Sequence, residues 1–120
     1  MRKFSKLFKA LSDSNRLRIL KMLEVKPMCV CEIQAVLGLA VSTVSKHLSL
    51  LRDAGYIYDV KENKWVTYHL NESAPDDMVR TMLAVMRTAM TAEDQVLKDR
   101  CRAQKADRNK LCRNLSGVKS

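Results

Sequence analysis

The hydrophobic period of this chain changes at Gly55, and that change constrains the fold more than any other feature. Before it, apolar residues recur at helical spacing. After it, residues 56–60 (YIYDV) and 65–70 (WVTYHL) are rich in β-branched and aromatic side chains, with the polar Lys61-Glu62-Asn63-Lys64 between them. That pattern reads as a two-stranded hairpin. The chain is therefore expected to be mainly α with a single β-hairpin.

The helical part divides at its own punctuation. Phe4, Leu7, Phe8 and Leu11 fall at i, i+3, i+4 and i+7, one face of a first helix. Asp13 reads as the N-cap of a second, whose apolar face is Leu17, Ile19, Leu20 and Leu23 and which ends before Lys26-Pro27. A third short helix fits Cys31 to Leu37 and closes at Gly38. A fourth runs from about Val41 to Ala54, with Val44, Leu48 and Leu51 inward and Gly55 as its stop. Beyond the hairpin, Ser73 can cap a last helix with Pro75 in its first turn. The expected order is α-α-α-α-β-β-α, with one domain over residues 1–97 and a basic tail over 98–120.

Charge and composition narrow the function. Of 120 residues, 22 are Lys or Arg and 13 Asp or Glu, a net charge of +9, while Gly and Pro total only five. Low Gly and Pro argue against a turn-rich sandwich. Four cysteines are too few for a disulfide miniprotein. No apolar run approaches the roughly 18 residues that span a bilayer, and the basic N-terminus lacks a signal-peptide core. The expectation is a cytoplasmic protein, not held in a membrane, whose partner is a polyanion such as nucleic acid. The tail carries eight basic against two acidic side chains, so +6 of the +9 lies there. Its plain reading is a solvated helix end, with two functional alternatives: salt-dependent non-specific affinity for DNA, or bringing Cys101 or Cys112 to an ion. There is no Gly-rich phosphate loop, no G-x-S-x-G and no carboxylate pair near a histidine, so no enzyme is expected.

Helices three and four, joined at Gly38-Leu39-Ala40, make a helix-turn-helix whose second helix enters the major groove. Its solvent face offers Ser42, Thr43, Ser45, Lys46 and His47. Short hydroxyls near a helix N-terminus suit phosphates and base edges, and Lys46 suits a phosphate or guanine. Lys61 and Lys64 of the hairpin sit where a wing would touch the backbone.

The segment MCVCEIQAVLGLAVSTVSKHLSLLRDAGYIYDVKENKWVTYHL resembles the arsenical-resistance repressors of the ArsR/SmtB family. The similarity covers roughly residues 5–97. It is carried by the CVCE opening of helix three, the STVSKHLSLLRDAG recognition helix and the K-x-x-K-W-V-x-Y wing. The resemblance implies a winged helix-turn-helix homodimer that represses a metal-resistance operon and leaves DNA when an ion binds. Ala40 departs from the family, which usually carries a capping serine there.

Cys29 and Cys31 are the candidate ion ligands. Soft thiolates select soft ions, and a helix N-terminus favours the thiolate, so lowered thiol pKa values are expected. On a regular helix, positions i and i+2 project about 200° apart. Both sulfurs can therefore meet one ion only at the fraying start of the helix, with Cys29 at or outside the cap. The inducer implied by the resemblance is As(III) or Sb(III), which takes three thiolates. The family's frequent third cysteine, one turn after the second, is Gln34 here. Cys101 and Cys112 remain as candidates. Cd(II) or Pb(II), and thiol redox sensing, are the alternatives. A zinc site on the last helix is not expected, because the two histidines, His47 and His69, lie elsewhere.

Met78, Met82, Met86 and Met90 recur every four residues and form a wide apolar face on the last helix. A chain this small has a limited core of its own, so a second copy is the natural cover. The resemblance points the same way, to a dimer through the first and last helices, which adds Leu7. A two-fold dimer reads palindromic DNA.

Overall fold

The computed structural model describes residues 1–107, and its order is α1 (Arg2–Ala10), α2 (Ser14–Leu23), β1 (Met28–Cys29), α3 (Val30–Leu37), α4 (Val41–Ala54), β2 (Ile57–Glu62), β3 (Trp65–Leu70), α5 (Asp77–Thr88) and α6 (Asp94–Lys105). It is a winged helix-turn-helix. Asp13 caps α2 by accepting from the backbone N–H groups of Asn15 and Arg16, at 2.8 and 3.2 Å. Gly38 and Gly55 close α3 and α4 at φ 72° and 93°, the left-handed region open to glycine. α3 and α4 meet at 112°, within the range of helix-turn-helix units. Val44, Leu48 and Leu51 point into the core, as their spacing requires.

The sheet contains one strand more than the hairpin. Its order is β1-β3-β2, all antiparallel, with Met28 opposite Tyr68 and Cys29 opposite Thr67. β2 and β3 pair from Ile57–Leu70 to Glu62–Trp65, and Asn63 turns the corner at φ 57°, which asparagine tolerates. The fully buried Tyr56 ties the start of the wing to α1, its hydroxyl donating to the Leu7 carbonyl at 3.0 Å.

The C-terminal part differs from the expected single helix. Asp76, not Ser73, caps α5, accepting from the Met78 N–H at 2.9 Å. α5 ends at Thr88, Met90 adopts φ 56°, and α6 folds back onto α2 and α3. The boundary expected after Leu97 thus falls inside α6, where Val96, Asp99 and Ala103 are buried. Two groups of ion pairs hold that helix. Arg18 donates to both Asp99 oxygens at 2.8 and 3.0 Å, and Glu24 accepts from the buried Lys21 and from Arg100, each at 3.0 Å.

The expected dimer residues also move. Leu7 and Met86 lie in the protomer core, at 3% and 5% exposure, while Met78, Met82 and Met90 are partly buried against it. The exposed apolar side chains on α1 and α5 are Phe4, Phe8 and Val85. Phe4 and Phe8 contact each other edge to face, centroids 4.8 Å apart. A helix turns 100° per residue, so the face carrying Leu7 and Ala10 goes inward and leaves the phenylalanines outside.

Ala40 stands at the N-cap of α4 in the extended conformation (φ −63°, ψ 148°) with no side-chain cap. An Ala40→Ser variant should gain about 1 kcal/mol. Thermal unfolding should shift upward by about 4–8 °C, and amide exchange at Ser42 and Thr43 should slow. An unchanged midpoint and unchanged exchange would show that this cap is not limiting.

Candidate thiol site and nucleic-acid face

Cys29 is both the last residue of β1 and the N-cap of α3. Its backbone is extended (φ −90°, ψ 169°), and Val30 begins the helix. This break in conformation removes the opposition that a regular helix would impose on positions i and i+2. The Cys29 and Cys31 sulfurs accordingly converge to 3.0 Å, both buried.

Glu32 completes a capping box with Cys29. Its Oε1 accepts from the Cys29 N–H at 3.0 Å, and its Oε2 lies 3.6 Å from Lys26 Nζ. The same ammonium donates to the Ala106 carbonyl at 2.7 Å, which brings the end of α6 beside the start of α3. Glu32 was not singled out from sequence, although C-x-x-E has the spacing of a capping box and was the available signal.

The Cys29 thiol does not follow the helix-terminus expectation. Burial pushes it up, and the Glu32 carboxylate adds to the rise, while the N–H groups of Glu32 and Cys31 only partly oppose it. Desolvation thus outweighs the helix terminus, and the thiol is held protonated to higher pH than an exposed cysteine.

Cys29 carries a thiol whereas Cys31 is disulfide-bonded, so the pair can offer two sulfur donors only once Cys31 is reduced, and among the described residues no group of three His, Cys, Asp or Glu side chains could hold a metal ion. Gln34 is half-buried on α3. Cys101 is exposed on α6, and Cys112 lies outside the described residues.

The candidate nucleic-acid face is built by α4 and the wing. Ser42, Thr43, Ser45 and Lys46 are exposed along α4, and Lys61 and Lys64 are exposed at the wing tip. The Lys64 ammonium sits 5.2 Å from the Trp65 ring centroid, which steadies that end of the wing. His47 is half-buried instead of fully presented. Arg16 donates to its Nδ1 at 3.1 Å and to the Ala10 carbonyl at 2.9 Å, so the ring bridges α4 to the α1–α2 corner. Nothing in the sequence period signalled Arg16, because this contact spans 31 positions. No single helix among the described residues is long and apolar enough to cross a membrane.

Comparison with known proteins agrees with this architecture. Residues 13–59 match the pattern described as "Bacterial regulatory protein, arsR family". The chain is 41% identical over 70 residues to the arsenical resistance operon repressor of Escherichia coli, covering 58% of this chain and 60% of that protein. It is 36% identical over 94 residues to the arsenic resistance transcriptional regulator ArsR2 of Pseudomonas putida, covering 78% of each. It is 39% identical over 67 residues to the cadmium resistance regulator CadC of Listeria innocua, covering 55% of this chain and 56% of that protein. Thus the alignments span less than two thirds of the Escherichia and Listeria proteins. Among solved structures, HlyU from Vibrio cholerae superposes with a TM-score of 0.60 at 32% identity, over 72% of this chain and 89% of that one.

Proposed function

Because this chain belongs to the arsR family of bacterial regulatory proteins, we propose that it is a metalloid-responsive transcriptional repressor, released from operator DNA when As(III) or Sb(III) binds Cys29 and Cys31. It binds a palindromic operator as a homodimer, with α4 in the major groove and Lys61 and Lys64 on the backbone. Ser42, Thr43, Ser45 and Lys46 make the groove contacts, and His47 acts through its bond to Arg16. The observation that carries this reading is the convergence of two sulfurs to 3.0 Å at the first turn of α3, the helix that packs on α4. An ion drawing on both sulfurs strains the start of α3, and α3 transmits that strain to the reading helix.

The test, on protein with Cys31 reduced to the thiol, is fluorescence anisotropy of a labelled operator palindrome, titrated with arsenite, antimonite and cadmium. Arsenite should release the wild-type protein. Cys29→Ser and Cys31→Ser should each raise the concentration for half release by about 100-fold or more, which is about 2.7 kcal/mol, with DNA affinity unchanged before ion is added. An unaltered response in both variants would remove the thiols from the mechanism.

A second reading, a cadmium-responsive repressor, is favoured by the CadC relative, and pH separates the two. Neutral arsenous acid binds two thiols by losing two hydroxyls as water, with no net proton release. Cadmium must displace the thiol protons into solution. With Cys29 shifted upward by burial, cadmium affinity should climb steeply between about pH 6 and pH 9 as the thiols ionise, whereas arsenite affinity should stay nearly flat. Release by cadmium at lower concentrations than arsenite, with the steep pH profile, would establish the second reading.

A further inference from the structure

The exposed face of α4 does not stop at Lys46. Ser42, Ser45, Lys46, Ser49 and Asp53 fall at i, i+3, i+4, i+7 and i+11, one stripe of the helix, and all are exposed. Leu50 borders this stripe, and with Asp53 it forms one wall of a groove whose other wall is α1. Resting on the placement of α4 in the major groove, we propose that Arg2, Lys6 and Lys9 of α1 are a second DNA contact, one that holds the phosphate backbone bordering the groove α4 enters.

α1 sends its side chains in three directions. Leu7 and Ala10 go to the core. Phe4 and Phe8 are exposed and touch each other. Arg2, Lys6 and Lys9, at i, i+4 and i+7, make a third side, and it is this side that lines the groove. Lys6 is two residues from both Phe4 and Phe8, hence about 200° around the helix from each. A second copy seated on the phenylalanines therefore leaves the basic row open to another partner.

The row is fixed against α4. The Arg16 guanidinium donates to the Ala10 and Lys9 carbonyls at 2.9 and 3.2 Å and to His47 Nδ1 at 3.1 Å. One arginine thus pins the end of α1 to the middle of α4. Charge names the occupant. Arg2, Lys6, Lys9 and Arg16 line the groove against a single acid, Asp53. Among the described residues no carboxylate forms an ion pair with any of these four cations. Such a surface is neutralised by a polyanion. Scale places the polyanion. A helix is about 10–12 Å across and the major groove about 12 Å wide, so a helix inside it has a phosphate row at each flank. α1 packs on one flank of α4 and presents its cations there.

Anisotropy titrations of the full-length protein over a range of salt, on an operator palindrome and on a scrambled duplex of equal length, test this. Lys6→Gln/Lys9→Gln should make the slope of log affinity against log salt shallower by about 2. At about 0.1 M salt, affinity should fall roughly tenfold or more on both duplexes alike, because phosphate contacts carry no sequence. Lys6→Arg/Lys9→Arg should restore the slope. Lys98→Gln/Lys105→Gln, at exposed positions of α6, changes the net charge equally and should leave the slope as it was. An unchanged slope in Lys6→Gln/Lys9→Gln, a loss confined to the palindrome, an equal loss in the α6 control, or a shift of the Lys6→Gln/Lys9→Gln protein from dimer to monomer in sedimentation would each overturn the proposal. Operator binding that is indifferent to Ser45→Ala/Lys46→Ala would instead overturn the placement of α4 itself, so the two failures are told apart.

Discussion

Replacing Arg18 by alanine should destabilise the protein by about 3 kcal/mol, lowering its thermal midpoint by about 15 °C. Asp99 is fully buried, and its carboxylate is held by the Arg18 guanidinium at 2.8 and 3.0 Å and by the Gln95 amide at 2.9 Å. Removing the guanidinium leaves a buried charge facing the Gln95 amide without its cation. Desolvation of an orphaned carboxylate, not the net worth of the pair, sets the size of the effect. Consequently the double variant Arg18→Met/Asp99→Leu, which removes both charges and keeps apolar volume, should recover most of the loss. Calorimetry of the three proteins checks this. A single variant within about 0.5 kcal/mol of wild type would mean that α6 is not fastened here.

Placing charge on the outer faces of α1 and α5 should convert the protein to a monomer. Phe8 and Val85 are 46% and 52% exposed, and their helices are the ones the family resemblance assigns to the dimer. The double variant Phe8→Glu/Val85→Glu should sediment as a monomer with its fold intact, because neither side chain is in the protomer core. Operator affinity should fall by about 100-fold or more, the loss expected when two tethered reading helices become independent. A dimer that persists with full affinity would move the interface to another face.

Much of the reading part was legible because local rules there agree with the global fold. Asp13, Gly38 and Gly55 mark helix ends by their own chemistry, and Val44, Leu48 and Leu51 keep the helical period. The hairpin announced itself by composition. Three features were not legible, each for a physical reason. β1 is two residues long, too short for any period, and exists because β3 offers it a ladder. The break between α5 and α6 carries no glycine or proline; Met90 takes the left-handed turn that those residues usually mark. The burial of Asp99 depends on Arg18, 81 positions away, so a charged stretch that reads as solvated becomes part of the core. At the thiol site the spacing foretold where both sulfurs can meet. The raised Cys29 thiol was not foretold, because burial is a tertiary property.

The three-stranded sheet has a consequence for engineering. Cys29 pairs with Thr67, and Thr67 pairs with Val60, so the thiol-bearing strand and the two wing strands share consecutive rungs of one ladder. The segment proposed to bind the ion is therefore not a cassette. A chimera that transplants residues 28–37 into another winged helix must bring a compatible central strand around 66–69, or the cap residue loses the partner that holds it extended. The thiol segment and the wing form one structural unit.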